Sequence, residues 1–149
     1  MVAHPQGAPR HQVAMNLEFT RGRHGAGARI ELHERPTGRL AVLALRGWID
    51  LSAERRLAQT LDDLVGRGVR QLIVDVSQLR HLDYRLIPRL VDTLARFEAR
   101  SGAVAVCGLS RYLRDLFRLS GVEPRVAGWP SAADLMATGW CGASGESAS

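Results

Sequence analysis

Three consecutive residues set a carboxylate, a phenol and a guanidinium just ahead of a helix-periodic apolar run: Asp83, Tyr84 and Arg85. An Asp in that place is suited to cap a helix start, because its side chain accepts from backbone N–H groups that the first turn leaves without partners. Its second oxygen stays available to a partner. Tyr and Arg are enriched at the energetic centres of protein interfaces, so the trio reads as a binding surface. Tyr84 then has two readings, an exposed anchor or a ring tucked beside the helix start. Asp50 places another carboxylate in a similar setting, after a strand-like run and before a helical pattern.

Other chemistry is hard to build from this chain. All 20 basic residues are Arg and none is Lys, which excludes a P-loop ATPase and a Schiff-base enzyme outright. His4, His11, His24, His33 and His81 are scattered without metal-ligand spacing, and Cys107 and Cys141 stand too far apart for a short-spaced zinc pair. No Gly-x-Ser-x-Gly elbow marks a nucleophile. The expectation is a non-enzyme with no cofactor and no metal. Bland roles suit the remaining polar candidates: His81 as a solvated loop side chain, Ser77 as a turn cap and Cys107 as a small buried hydrophobe.

The net charge of +5 does not point to nucleic acid, because the excess is dispersed. Residues 1–39 hold six Arg against three acids, and residues 40–139 hold fourteen against eleven, so no basic stripe emerges. No apolar stretch reaches the roughly 18 to 20 residues of a membrane-spanning helix, and Met1–Arg10 lacks the apolar middle of a signal peptide. Cys107 lies in an apolar run and Cys141 in a Gly/Ser-rich stretch, settings that argue against a disulfide and fit a reducing compartment. These features predict a cytoplasmic protein without membrane insertion.

The elements that must position the trio follow from periodicity. Residues 1–28 have no sustained apolar period and read as a flexible segment, apart from a short strand option at Val13–Phe19; residues 139–149 read as a flexible tail. Between them, residues 29–138 form one domain. Ile30–Leu32 alternates, Pro36-Thr37-Gly38 turns, and Leu40–Leu45 reads as a strand buried on both faces. Ser52 is placed as the N-cap, with Asp50 assisting, of a helix carrying Leu57, Leu61, Leu64 and Val65 on one face. Leu72–Val76 reads as a central strand. A second helix starts between Asp83 and Arg85, since Pro88 is tolerated only in a first turn. It carries Ile87, Leu90, Val91, Leu94 and Phe97 and ends near Ser101-Gly102. Strand Ala103–Cys107, a helix capped by Ser110, an edge strand near Arg125–Ala127 and a helix from Pro130-Ser131 complete the alternation. Strands alternating with helices predict parallel pairing through helical crossovers.

Taken in order, Leu45-Arg46-Gly47-Trp48-Ile49-Asp50, Val74-Asp75-Val76-Ser77, His81-Leu82-Asp83-Tyr84-Arg85-Leu86 and Val106-Cys107-Gly108-Leu109-Ser110 with Leu119-Ser120-Gly121-Val122 resemble the landmarks of the STAS domain family. That family includes bacterial anti-sigma factor antagonists and the cytoplasmic tails of sulfate transporters. The resemblance implies an α/β fold: a STAS-like mixed sheet of four to five strands with about four helices packed mainly on one face. It also implies partner binding through Asp50, Asp83, Tyr84 and Arg85. The partner would be an anti-sigma factor or serine kinase-like protein, or a transporter ATPase subunit, and self-association in a larger STAS assembly is a further expectation. In antagonist members a kinase phosphorylates the Ser directly after the Asp. Here Tyr84 stands in that place, Arg85 replaces the next Ser and Leu86 replaces a Gly, which implies that the phosphoserine switch is lost; Trp48 replaces an acid, which implies a less anionic surface suited to a different partner.

Overall fold

A computed structural model describes residues 13–119, 131–137 and 140 of the chain. Five strands, β1 (Val13–Glu18), β2 (Gly27–Arg35), β3 (Gly38–Ile49), β4 (Val69–Leu82) and β5 (Ala103–Cys107), form one sheet in the order β1-β2-β3-β4-β5. β1 to β3 are antiparallel, whereas β3, β4 and β5 run parallel. The mixed sheet follows from the connections. Two residues suffice to turn β2 into β3, but parallel neighbours need a crossover, supplied here by α1 (Leu51–Gly66) and α2 (Ile87–Arg100). Two further helices, α3 (Arg111–Leu119) and α4 (Ala132–Ala137), complete the described residues. This is the mixed α/β architecture expected from the sequence.

Strand alternation sorts the core onto the two faces of the sheet. Leu43, Leu45, Leu72, Val74 and Val106 face Leu57, Leu61, Ile87, Leu90, Phe97, Leu113 and Phe117 of α1, α2 and α3. Leu40, Val42, Ile73, Ala105 and Cys107 face Ala132 and Leu135 of α4. Helices therefore cover one face heavily and the other through the short α4. Both faces of β3 are buried between Leu40 and Leu43, which explains why its sequence is a continuous apolar run.

Three local readings need correction. The sheet begins before residue 29: the strand option at Val13–Phe19 is taken up as β1, which pairs with β2 from Val13↔Leu32 to Glu18↔Gly27, and Phe19, Ala26 and Ala28 are buried, so residues 13–28 are part of the domain. Composition misses this pairing because the ladder is made by backbone groups, and Met15 and Leu17 need only half-burial to hold β1 in place. The cap of α1 is Asp50, whose Oδ1 accepts from the Ala53 N–H at 2.9 Å, so Ser52 lies inside the first turn. Finally, β4 continues past Val76 to Leu82, because its pairing with β3 carries polar residues along through two register shifts beyond Ala44. Ser77 is thus a strand residue, its N–H donating to Asp75 Oδ1 at 2.9 Å, and not a turn cap. The expected strand at Arg125–Ala127 lies outside the described residues. Among the described residues no helix is long and apolar enough to cross a membrane.

Candidate protein-interaction site

The parallel register of β3 and β4 pairs Ile49 with Leu82, and Asp50 and Asp83 are the residues that follow each. Two neighbouring strands therefore end side by side on two carboxylates, and the Asp83 N–H reaches back to the Ile49 carbonyl at 3.4 Å. Each carboxylate caps the turn after it. Asp50 starts α1, and Asp83 Oδ1 accepts from the Arg85 N–H at 3.0 Å to start a single 3-10 turn, Tyr84–Leu86. That turn runs directly into α2, with Pro88 in its first turn, where a missing N–H costs no ladder bond.

Arg85 folds back on its own cap. Its Nε donates to Asp83 Oδ1 at 3.1 Å and its Nη2 to Oδ2 at 2.8 Å, a two-pronged pair on an exposed turn. This side-chain hydrogen bonding, with the Arg85 N–H adding to it, lowers the Asp83 carboxyl below its usual range and raises the Arg85 guanidinium above its own. Tyr84 is 58% exposed, which decides between its two readings in favour of the solvent-facing ring.

Tyr84 does not stand alone. Trp48 (42% exposed) near the end of β3, Leu51 (39%) at the start of α1 and Tyr112 (45%) at the start of α3 stand at the same end of the sheet. His81, expected as a solvated loop residue, is instead the penultimate residue of β4, half-buried, with Nδ1 2.9 Å from the Tyr112 hydroxyl. It belongs to a row of rings. His24 stacks on Trp48 with centroids 4.0 Å apart, Trp48 stands 4.9 Å from His81, and His81 stands 6.3 Å from Tyr112. Sequence reasoning missed this row because its members come from four separate segments. One signal was available: Trp48-Ile49-Asp50 and His81-Leu82-Asp83 share a ring-apolar-Asp order, and aligning the two strand ends on their Asp makes Trp48 and His81 neighbours, as the register shows.

Among the described residues no group of three or more His, Cys, Asp or Glu side chains could hold a metal ion. The Cys107 thiol is buried, and desolvation, with the charge of Asp75 adding to it, pushes it up to about 12, far from a reactive thiolate.

The family described as Mlab, STAS domain, matches residues 32–126, from within β2 to beyond α3. The chain belongs to the STAS domain family. Solved structures agree at the level of fold. An anti-sigma factor antagonist from Mycobacterium paratuberculosis superposes with a TM-score of 0.59 at 17% identity, covering 78% of this chain and 96% of its own. The anti-sigma factor antagonist SpoIIAA in its unphosphorylated form gives 0.57 at 19% identity, covering 75% and 98%. The Bacillus cell fate determinant SpoIIAA in the phosphorylated form gives 0.55 at 19%, covering 74% and 99%. A comparison with curated proteins finds no match. In this STAS domain no Ser or Thr lies between Ser77 and Thr93, and Thr93 is buried, so the hydroxyl at the capped turn is the Tyr84 phenol.

Proposed function

We propose that this STAS domain is a non-catalytic regulatory module that holds a protein partner against the carboxyl-end rim of its sheet. One observation carries the reading: of the exposed large apolar side chains among the described residues, Trp48, Leu51, Tyr84 and Tyr112 gather at that rim, beside Asp50, Asp83 and Arg85. Clustered aromatic and aliphatic side chains rimmed by polar groups mark interaction sites, whereas single exposed hydrophobes do not. The likeness to anti-sigma factor antagonists supports a partner of the anti-sigma factor or serine kinase-like class, in a cytoplasmic pathway that controls transcription.

With a Tyr in place of a Ser, and Arg85 already engaged with Asp83, binding by this rim is independent of serine phosphorylation. A transporter ATPase subunit is the other partner class that the family resemblance implies, and it would meet the same rim.

Capture of partners from lysate of the native cells, with wild-type protein beside Tyr84→Ala/Arg85→Ala, tests the reading. The expected result is one partner lost with the double variant, its affinity for the purified domain falling by about thirtyfold or more, as for hot-spot residues. A kinase-like partner supports the first class and an ATPase subunit the second. A partner held equally by both proteins would remove the rim from the interface. Recovery of the chain alone, with a mass that rises with concentration in light scattering, would replace the reading by self-assembly.

A further inference from the structure

Beside Trp48 the rim opens into a groove of about 850 Å³ lined by Arg23, His24, Trp48, Ser77, Gln78 and Arg80, with Leu79 beneath. No carboxylate lines it. Arg23 and Arg80 are both exposed and, like most of the described arginines, enter no ion pair among the described residues; what sets these two apart is that they share a groove with no acid in its lining.

The backbone brings these two cations together on purpose-shaped ground. Gly47 adopts φ +84°, and a side chain there would meet the Gly25 carbonyl oxygen at 2.0 Å, so the glycine lets the β1–β2 connection lie directly on β3. The Trp48 N–H then donates to the His24 carbonyl at 3.3 Å, which anchors Arg23 and His24 over the strand end.

Two uncompensated guanidiniums on a groove wall call for an anionic occupant. The row of rings narrows its class. His24 stacks against Trp48 and His81 stands 4.9 Å from it, so the ring offers less surface for a stacked nucleobase, while the 42% that stays exposed can still meet an apolar side chain. Asp50 and Asp83 at the adjoining strand ends would also repel a continuous phosphate chain. A peptide avoids both difficulties, since it can set carboxylates on the arginines and apolar side chains on Trp48, Leu51, Tyr84 and Tyr112.

We infer that the partner contributes an acidic, apolar-studded segment that seats its carboxylates on Arg23 and Arg80 and an apolar side chain against Trp48. This rests on the reading of the rim as a protein interface, and it adds the chemistry of what the rim receives.

The test is fluorescence anisotropy on the full chain with a dye-labelled peptide that alternates Glu with Phe, its Gln-for-Glu counterpart, and an oligothymidylate of matched charge. The Glu peptide should bind about tenfold more tightly than the Gln peptide, lose about tenfold with Arg23→Gln/Arg80→Gln, and weaken as salt is raised. Bound peptide should also shift the Trp48 indole N–H resonance. Failure of the Glu peptide to bind, equal binding of the Gln peptide, or indifference to the Arg variant would overturn the inference. Tighter binding of the oligothymidylate would overturn it in favour of nucleic acid. Carrying both double variants through the partner capture separates the two claims: loss with Tyr84→Ala/Arg85→Ala but not with Arg23→Gln/Arg80→Gln removes the groove and keeps the rim, whereas a partner retained by both takes the rim itself out of the interface.

Discussion

Asp83 serves three donors at once: the Arg85 backbone N–H and two nitrogens of the Arg85 guanidinium. The clamp has a defined acid dependence. Because the folded carboxyl titrates below its ordinary value of 3.8, its contribution to stability is fully present above that value and is lost as pH falls through the lower folded one. Arg85→Ala deletes the side-chain hydrogen bond, the largest cause of the shift, and leaves the backbone donor. A carbon-detected NMR titration should therefore find the Asp83 midpoint moved part of the way up towards 3.8 in the variant. An unmoved midpoint would mean that the pair seen at the turn does not persist in solution. The exposure of Tyr84 carries weight at this scale too, because a ring held beyond a capped turn stays mostly open to solvent and to a partner.

Helices α1 and α2 are clasped by a buried carboxylate. Glu54, 2% exposed, accepts from Thr93 Oγ1 at 2.8 Å and from Arg89 Nε at 3.2 Å, and Thr93 is itself only 4% exposed. Hydrogen bonds to a charged group contribute about 1.5–3 kcal/mol, so Glu54→Ala should cost about 2 kcal/mol in urea denaturation without a change in m-value. Arg89 is half-exposed and its loss should cost about 1 kcal/mol or less. The clasp fixes how the starts of α1 and α2, and with them Leu51 and Tyr84, sit relative to one another. Gly47 has a comparable role between strands. Gly47→Ala forces both a positive φ and a collision with the Gly25 carbonyl, and should destabilise by about 2 kcal/mol while parting His24 from Trp48. Thermal melting measures the first effect, and a change in the His24 ring shifts reports the second. A variant as stable as wild type would show that the β1–β2 connection does not rest on β3 as described.

At the scale of the whole molecule, β5 is a test of cooperativity. Cys107 has no exposed surface, and its neighbours Leu40, Val42, Ile73, Ala132 and Leu135 come from β3, β4 and α4. Reagents reach its sulfur only when those layers separate. With Cys141→Ser removing the other thiol, native protein should remain unreactive to Ellman's reagent at mildly alkaline pH and react fully in denaturing urea. Rapid reaction of the native form would place α4 off the sheet for much of the time. The rim depends on the same integrity, since its four apolar side chains come from the ends of β3 and the starts of α1, α2 and α3.

The amino-acid sequence by itself determined the alternation of strands and helices, the apolar face of α1 and α2, a helical start at Asp83, which the structure opens with a 3-10 turn before α2 begins at Ile87, and the membership suggested by four motifs in register. All of these depend on spacing within a few residues, where period and capping chemistry act directly. It also placed Asp50 and Asp83 at element ends, and the family resemblance implied that the two adjoin, but the strand register that brings them together was not legible in it. Only the tertiary structure decided that, because strand register is a pairing between residues more than thirty positions apart. The same holds for β1 on the sheet edge, for His24, Trp48, His81 and Tyr112 in one row, for Glu54 between Arg89 and Thr93, and for Arg23 beside Arg80. Each joins side chains that no local period connects, so their chemistry exists only once the sheet has closed around them.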